Sequence, residues 1–382
     1  MKRFVTVFVI LLAAAFGQGR HKLGEVNAET PEGQLLQQIG QEADPAKRLE
    51  KLNEFIAKFP KHDAAGWVQG QMHDAYVKTN QPAKILETGE KLLALDPEDV
   101  EIAHASLKVA EASKDPDLIR KWAVATSESA RKAAVSKKPE DEDEVADWKR
   151  RVDFAKQVDT YTEYSLHAAA LSLADPAKMV ELINALEQRN PQSQYLPQLH
   201  KHLFRVYLQV SDAAKAVAVA EKELVRDPTD EDMLLVTADY YFNQKNADKA
   251  LDFSAKLVTL MASKPAPQGV SAEDWEKKKK RSTGLGLWMQ GVTYSTQNKF
   301  PLADKTLRET LPYINDNDQY LAAAYFYLGL ANFRLGDSKK APDTQRILDA
   351  IRFNQQCAAI KSPYQSQAQK NVAAIRAQYR VQ

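Results

Sequence analysis

Apolar positions along the chain recur with the period of helices rather than of strands. After the N-terminus no segment sustains the alternation of a half-buried strand, and helical patterns run almost without a break from about residue 33. The breaks are short and alike: Phe59-Pro60, Asp96-Pro97, Asn190-Pro191 and Asp227-Pro228. Each ends an apolar-periodic helix, because proline donates no N–H to the preceding turn and disfavours helix at the residue before it.

The spacing of these breaks carries more than their identity. Pro60 and Pro97 are 37 residues apart, as are Pro191 and Pro228. The segments around Ala216 and Ala250 recur 34 residues apart, and similar pieces follow at Leu302-Ala303-Asp304 and Lys339-Lys340-Ala341. Self-similarity at this period is the mark of helix–turn–helix repeats. Small residues also pair twelve apart across the expected turns, Ala238 with Ala250, Gly291 with Ala303 and Gly329 with Ala341. Two antiparallel helices approach closely only where the crossing residues are small. Tyr241 and Tyr294 each follow three residues after a small one, where bulk fills the space between repeats.

These residues resemble the tetratricopeptide repeat, with its pattern W-x2-L-G-x2-Y, then A-x3-F, then P. The best match runs from Tyr325 through Leu328, Gly329 and Asp337 into Lys340-Ala341, and the next from Leu287 through Trp288 and Gly291 to Tyr294. The unit from Lys201 to Pro228 keeps Leu203, Phe204, Tyr207 and Ala216. Earlier units diverge more: the stretch from Trp67 to Pro97 has His73 and Ile85 where small residues are usual. The resemblance covers roughly residues 33–380. It implies an all-α fold, a right-handed α-solenoid of stacked helix–turn–helix repeats closed by a C-terminal capping helix.

On this register the chain divides into degenerate repeats over 33–135, a charged loop over 136–146, repeats over 147–361 and a cap over 362–382. The loop contains Lys137, Lys138 and the carboxylate run Glu140–Glu144 and is free of apolar residues up to Glu144. A second interruption spans 262–269, with Pro265 and Pro267. Ser362-Pro363 predicts the start of the last helix, a capping hydroxyl followed by proline in the first turn. Ala368, Val372, Ile375 and Tyr379 then share one face.

The two ends differ in kind. Lys2 and Arg3 precede an uncharged run of 13 residues from Phe4 to Phe16, and Ala15 and Gly17 are small. This is the layout of a signal peptide over 1–17, cut after Gly17, followed by a polar, flexible leader over 18–32. The expected location is therefore the bacterial periplasm or the exterior. An uncleaved leader anchored in the inner membrane is the alternative, although the run falls short of the roughly 20 residues a spanning helix needs.

Charge and chemistry narrow the function further. Lys plus Arg number 52 against 51 Asp plus Glu, a balance that gives no general attraction to nucleic acid. Cys357 is the single cysteine, which excludes a disulfide framework and a thiolate zinc cage. His200 and His202 point about 200° apart on a helix and cannot share a metal face. Glu140–Glu144 lacks the glycine turn of a calcium loop. The basic run Lys277–Arg281 wraps around a helix rather than forming a stripe, and Gly284-Leu285-Gly286 lacks the strand, lysine and hydroxyl of a phosphate loop. No nucleophile–base set is legible, so neither a catalytic residue, a metal nor a cofactor is expected.

The resemblance then implies a non-catalytic scaffold for a protein or peptide partner in the cell envelope. A carbohydrate-binding or carbohydrate-processing repeat protein is the alternative. First helices of stacked pairs line a groove, and the register places there Lys201, Arg205, Leu208, Gln209, Asp239, Phe242, Asn243, Trp288, Val292, Phe326 and Phe333. Lys201 and Arg205 are similar to the cations with which some members hold a chain-terminal carboxylate, but the asparagine partner is missing from this helix.

Overall fold

The computed structural model describes His21, residues 23–337 and residues 341–380. The expected signal peptide, its cut after Gly17 and the first residues of the leader lie outside the described residues. All regular structure among the described residues is helical, so the all-α expectation holds. No helix among them is long and apolar enough to cross a membrane.

The chain forms two compact units, divided between Leu199 and His200. The first holds α1 (Pro31–Gln41), α2 (Pro45–Lys58), α3 (Ala65–Lys78), α4 (Pro82–Leu95), α5 (Val100–Ser113), α6 (Pro116–Ala134), α7 (Glu142–Leu171) and α8 (Pro176–Arg189). The division falls inside α9 (Leu196–Gln209). The second unit continues with α10 (Ala213–Arg226), α11 (Glu231–Asn243), α12 (Ala247–Ser263), α13 (Ala272–Thr296), α14 (Phe300–Thr310), α15 (Asp318–Gly336), α16 (Thr344–Ala358) and α17 (Gln365–Tyr379).

From α1 to α8 and from α10 to α17 each helix packs on its sequence neighbours, and the short turns oblige consecutive helices to run antiparallel. First helices of successive pairs also touch side by side, α5 with α7 and α11 with α13 and then α15. Each unit is thus a stack of helix pairs, the arrangement of an α-solenoid. The turns repeat as well. Asn80 and Lys114 adopt left-handed backbone (φ 50° and 58°) 34 positions apart, and Ser211 and Lys245 (φ 60° and 58°) do so again. Each residue lies just past a first helix and reverses the chain into the second.

Sequence chemistry sets the helix starts. Asp44, Asp99, Asp115, Asp175, Asp212, Asp230 and Asp343 each accept a backbone N–H of the first turn, which stabilises a helix by about 1 kcal/mol. Pro45, Pro82, Pro116 and Pro176 occupy the first position, where no N–H is missed.

The structure departs from the sequence expectation at four places. The charged loop ends at Asp141, because Asp141 caps α7 and Glu142, Asp143 and Glu144 sit in its first turn, favoured by the helix dipole. That loop is internal to the first unit. Ala341 is exposed and precedes α16, which Asp343 caps after Pro342; it is not the small partner of Gly329, whose added Cβ would meet Asn354 instead. The last helix begins at Gln365, and Ser362 accepts its N–H through a backbone carbonyl in the preceding turn rather than capping it with its hydroxyl. Finally, Val26 in the expected flexible leader packs on the core cluster of Leu35, Leu36, Ile39 and Phe55.

The two interruptions share one device. Trp148 Nε1 donates to Ser136 O at 3.2 Å, and Trp275 Nε1 donates to Lys264 O at 3.3 Å. In each case an extended helix, α7 or α13, folds a tryptophan of its early turns back onto the loop before it. Both loops are therefore tied to the stack.

Candidate functional site

In the second unit the side-by-side first helices α11, α13 and α15 carry a run of rings. Phe242 and Trp288 lie 5.1 Å apart between centroids, and Trp288 meets Tyr320 edge-on at 4.9 Å. All three are half-buried and rest on the core of Leu307, Ala324, Leu328 and Phe353. Such tilted and T-shaped contacts satisfy the ring quadrupoles. Trp288 Nε1 has no hydrogen-bond acceptor. Next to this run Asn243 Nδ2 donates to Asp239 Oδ2 at 3.1 Å, both residues being exposed.

The expected groove residues therefore separate. Phe242, Trp288, Asp239 and Asn243 share the α11–α13 face, and Tyr320 joins them without having been singled out. Val292 is buried beneath that face. Phe326 packs against Tyr364 at 4.9 Å, and Phe333 packs on Ile347, Ala350, Ile351 and Ile375. These two are seam residues toward the C-terminal helices. Arg205, Leu208 and Gln209 are exposed on α9. Lys201 Nζ pairs with Asp230 at 3.3 Å and Asp227 at 3.5 Å. Burial would lower its pKa, but the two carboxylates outweigh this and raise it. Its charge is thus engaged within the protein.

The basic run is likewise taken up locally. Lys277 pairs with Glu273, Lys278 with Glu231 and Asp232, and Lys279 with Glu276, while Lys280 donates to Asn315. Glu231, joined by Lys264 as well, is held down to about 2: burial pushes it up, and the two lysines prevail. A second network centres on Asp304, which accepts from Arg308 Nε at 2.8 Å, Asn332 Nδ2 at 2.6 Å and Arg346 Nη1 at 2.5 Å. It ties α14, α15 and α16 together.

The first unit holds rings that the sequence reading overlooked. His104 of α5 meets Phe154 and Tyr161 of α7, at 6.0 and 5.5 Å. Tyr161 continues to Tyr164 at 6.0 Å, and Tyr195 lies 6.3 Å from Tyr164 and stacks on His167 at 4.6 Å. The spacing of Tyr161, Tyr164 and His167 at i, i+3 and i+6 was visible in the sequence. It was masked because the thirty-residue α7 winds its apolar positions around more than one face.

Among the described residues one histidine does enter a potential ligand set, contrary to the expectation of none. His21, Asp96 and Asp99 place ligand atoms within 4.8 Å of one another, with His21 Nε2 3.6 Å from Asp99 Oδ2. Asp99 Oδ1 already accepts the Ile102 N–H and Asp96 Oδ1 the Glu98 N–H, so both carboxylates serve the turn that starts α5. Cys357 is buried, and burial pushes its thiol up to about 11, which leaves it protonated and unreactive at neutral pH.

No family model and no curated protein matches the chain. Among solved structures, it is similar to a chain in "Crystal structure of APC/C hetero-tetramer Cut9-Hcn1" (TM-score 0.34, 10% identity, 90% of this chain and 62% of that one). It is also similar to the P58(IPK) TPR domain (TM-score 0.27, 11% identity, 92% and 99%) and to yeast Tom70 (TM-score 0.24, 11% identity, 93% and 90%). The chain spans about 62% of the length of the first of these. At such scores the assignment to helical repeats rests on the chain's own helix pairing and recurring turns.

Proposed function

We propose that the protein is a non-catalytic helical-repeat scaffold that holds a protein partner on the first-helix face of its second unit. The observation that carries this reading is the half-buried run Phe242–Trp288–Tyr320, which crosses three consecutive first helices. Aromatic side chains of this kind dominate the energetics of protein interfaces. The neighbouring exposed Asp239–Asn243 pair supplies polar contacts at the edge.

The setting we propose is the bacterial cell envelope, reached by export. Lys2 and Arg3, the uncharged run Phe4–Phe16 and the small residues Ala15 and Gly17 support it. N-terminal sequencing of the protein purified from its source checks this, with Gln18 as the expected first residue.

Affinity capture from envelope fractions tests the scaffold reading. The wild-type chain should recover a protein partner, and Phe242→Ser, with an unchanged circular dichroism spectrum, should recover at least tenfold less. Recovery of polysaccharide only, or equal recovery by the variant, would contradict it.

A further inference from the structure

His21 belongs to the segment before α1, yet its imidazole sits at the turn between α4 and α5, beside Asp96 and Asp99. Gly66 of α3 makes room for the ring: a Cβ there would come within 3.3 Å of His21 Nδ1. The other ring nitrogen, Nε2, is closed off from solvent and has no hydrogen-bond partner. Asp99 is 5% exposed, and no lysine or arginine pairs with it among the described residues. A carboxylate buried to that extent is costly without a compensating cation. Its Oδ1 accepts the Ile102 N–H, but its Oδ2 lies 3.6 Å from His21 Nε2. That is too far for a hydrogen bond. It is close to the spacing of roughly 3.3 Å between two ligands of a tetrahedral ion whose bonds are about 2.0–2.1 Å long. A carboxylate oxygen of Asp96 completes the set, all three ligand atoms lying within 4.8 Å of one another.

We propose that His21, Asp96 and Asp99 bind a zinc ion, which clips the segment before α1 to the start of α5. The ion sits among the three ligand atoms, so it needs no solvent-facing side of Nε2. The atoms have to draw in by only about half an ångström to reach bonding distance. His21 and Asp96 are each only partly buried, which leaves the ion a way in and room for water at its remaining position. One imidazole beside two carboxylates favours zinc over calcium and magnesium, which take oxygen ligands. Both carboxylates are already oriented, because Asp99 Oδ1 holds the Ile102 N–H and Asp96 Oδ1 the Glu98 N–H. Hydrogen bonds of this kind fix metal ligands in place. Val26, five residues after His21, packs on the core of Leu35, Leu36, Ile39 and Phe55, so the ion gives the segment a second point of attachment. His21 follows the expected cut after Gly17, and processed and unprocessed chains both carry the site.

The experiment titrates zinc chloride into the full chain, without an affinity tag and stripped beforehand with a chelator, by isothermal titration calorimetry near neutral pH. One equivalent should bind. His21→Gln and Asp99→Asn should each weaken binding at least about tenfold, with unchanged circular dichroism. The asparagine keeps an oxygen for the Ile102 N–H, so its effect reports the lost charge rather than a lost cap. Calcium chloride and magnesium chloride should bind at least about tenfold more weakly than zinc. Hydrogen exchange at the amides of residues 23–27 should slow on adding zinc to the wild type and not to His21→Gln. No saturable binding of zinc, or equal affinity in His21→Gln, would overturn the site. Calcium binding as tightly as zinc would overturn the choice of metal, and zinc binding without slower exchange would overturn the clip.

Discussion

Gly291 and Leu307 meet so closely that a Cβ on the glycine would lie 2.6 Å from Leu307 Cγ. The contact is the crossing of α13 and α14, one turn beyond the Gly291–Ala303 pair that the sequence spacing pointed to. A methyl group there forces the leucine or the helices apart. Gly291→Ala should destabilise the second unit by about 1–2 kcal/mol, overpacking outweighing the helix-propensity gain. Gly70→Ala in α3, where an added Cβ meets nothing within 4 Å, should instead stabilise by about 0.5–1 kcal/mol. Urea denaturation of the two variants checks both signs.

The left-handed turn residues give a second test. Lys245 sits at φ 58°, a conformation that costs an ordinary L-residue roughly 1–2 kcal/mol. Glycine relieves that strain but loses more entropy on folding. Lys245→Gly should therefore stabilise by about 0.5 kcal/mol and Lys245→Val should destabilise. Thermal unfolding of the two should move in opposite directions.

Acid should weaken the first unit through His73. The residue is buried against Thr88 Oγ1, 3.0 Å from its Nδ1, and burial holds its pKa down to about 4 against an ordinary 6.5. A histidine depressed on folding contributes stability that is present above 6.5 and lost as the pH falls toward 4, because the unfolded chain takes up the proton first. The loss should reach about 3 kcal/mol. His73→Gln removes the titration, so its stability should fall less steeply across that window in denaturation at several pH values. An unchanged slope would assign the acid sensitivity elsewhere.

Glu231 is the shared anion of Lys264 and Lys278 at the start of α11. Glu231→Gln should cost about 1–3 kcal/mol, because Lys264 loses its carboxylate and Lys278 keeps only Asp232. Much of that cost should be recovered when Lys278 is also changed to Met, which a double-mutant cycle measures.

Helix pairs were legible because prolines and 34-residue spacings mark turns, and turns need particular backbone chemistry. The face was legible in part. Phe242 lies four residues after Ala238 and Trp288 three before Gly291, so both fall on one face of adjacent first helices, and register brought them together. Phe326 and Phe333 occupy similar places, yet Tyr364 just before α17 and Ile375 within it cover them, and coverage by a later segment leaves no local signal. Ala341 misled for a different reason: Pro342 and Asp343 offered a stronger helix start three residues on.

The central claim, a protein partner on the α11–α13–α15 face, is tested most directly by site-specific photocrosslinking in envelope preparations. A benzophenone side chain at exposed Asn243 of α11 is compared with one at exposed Lys256 of α12. The account predicts a discrete protein adduct from position 243, absent from position 256 and suppressed by Phe242→Ser. Adducts of equal yield from both positions, or none from position 243, would contradict it.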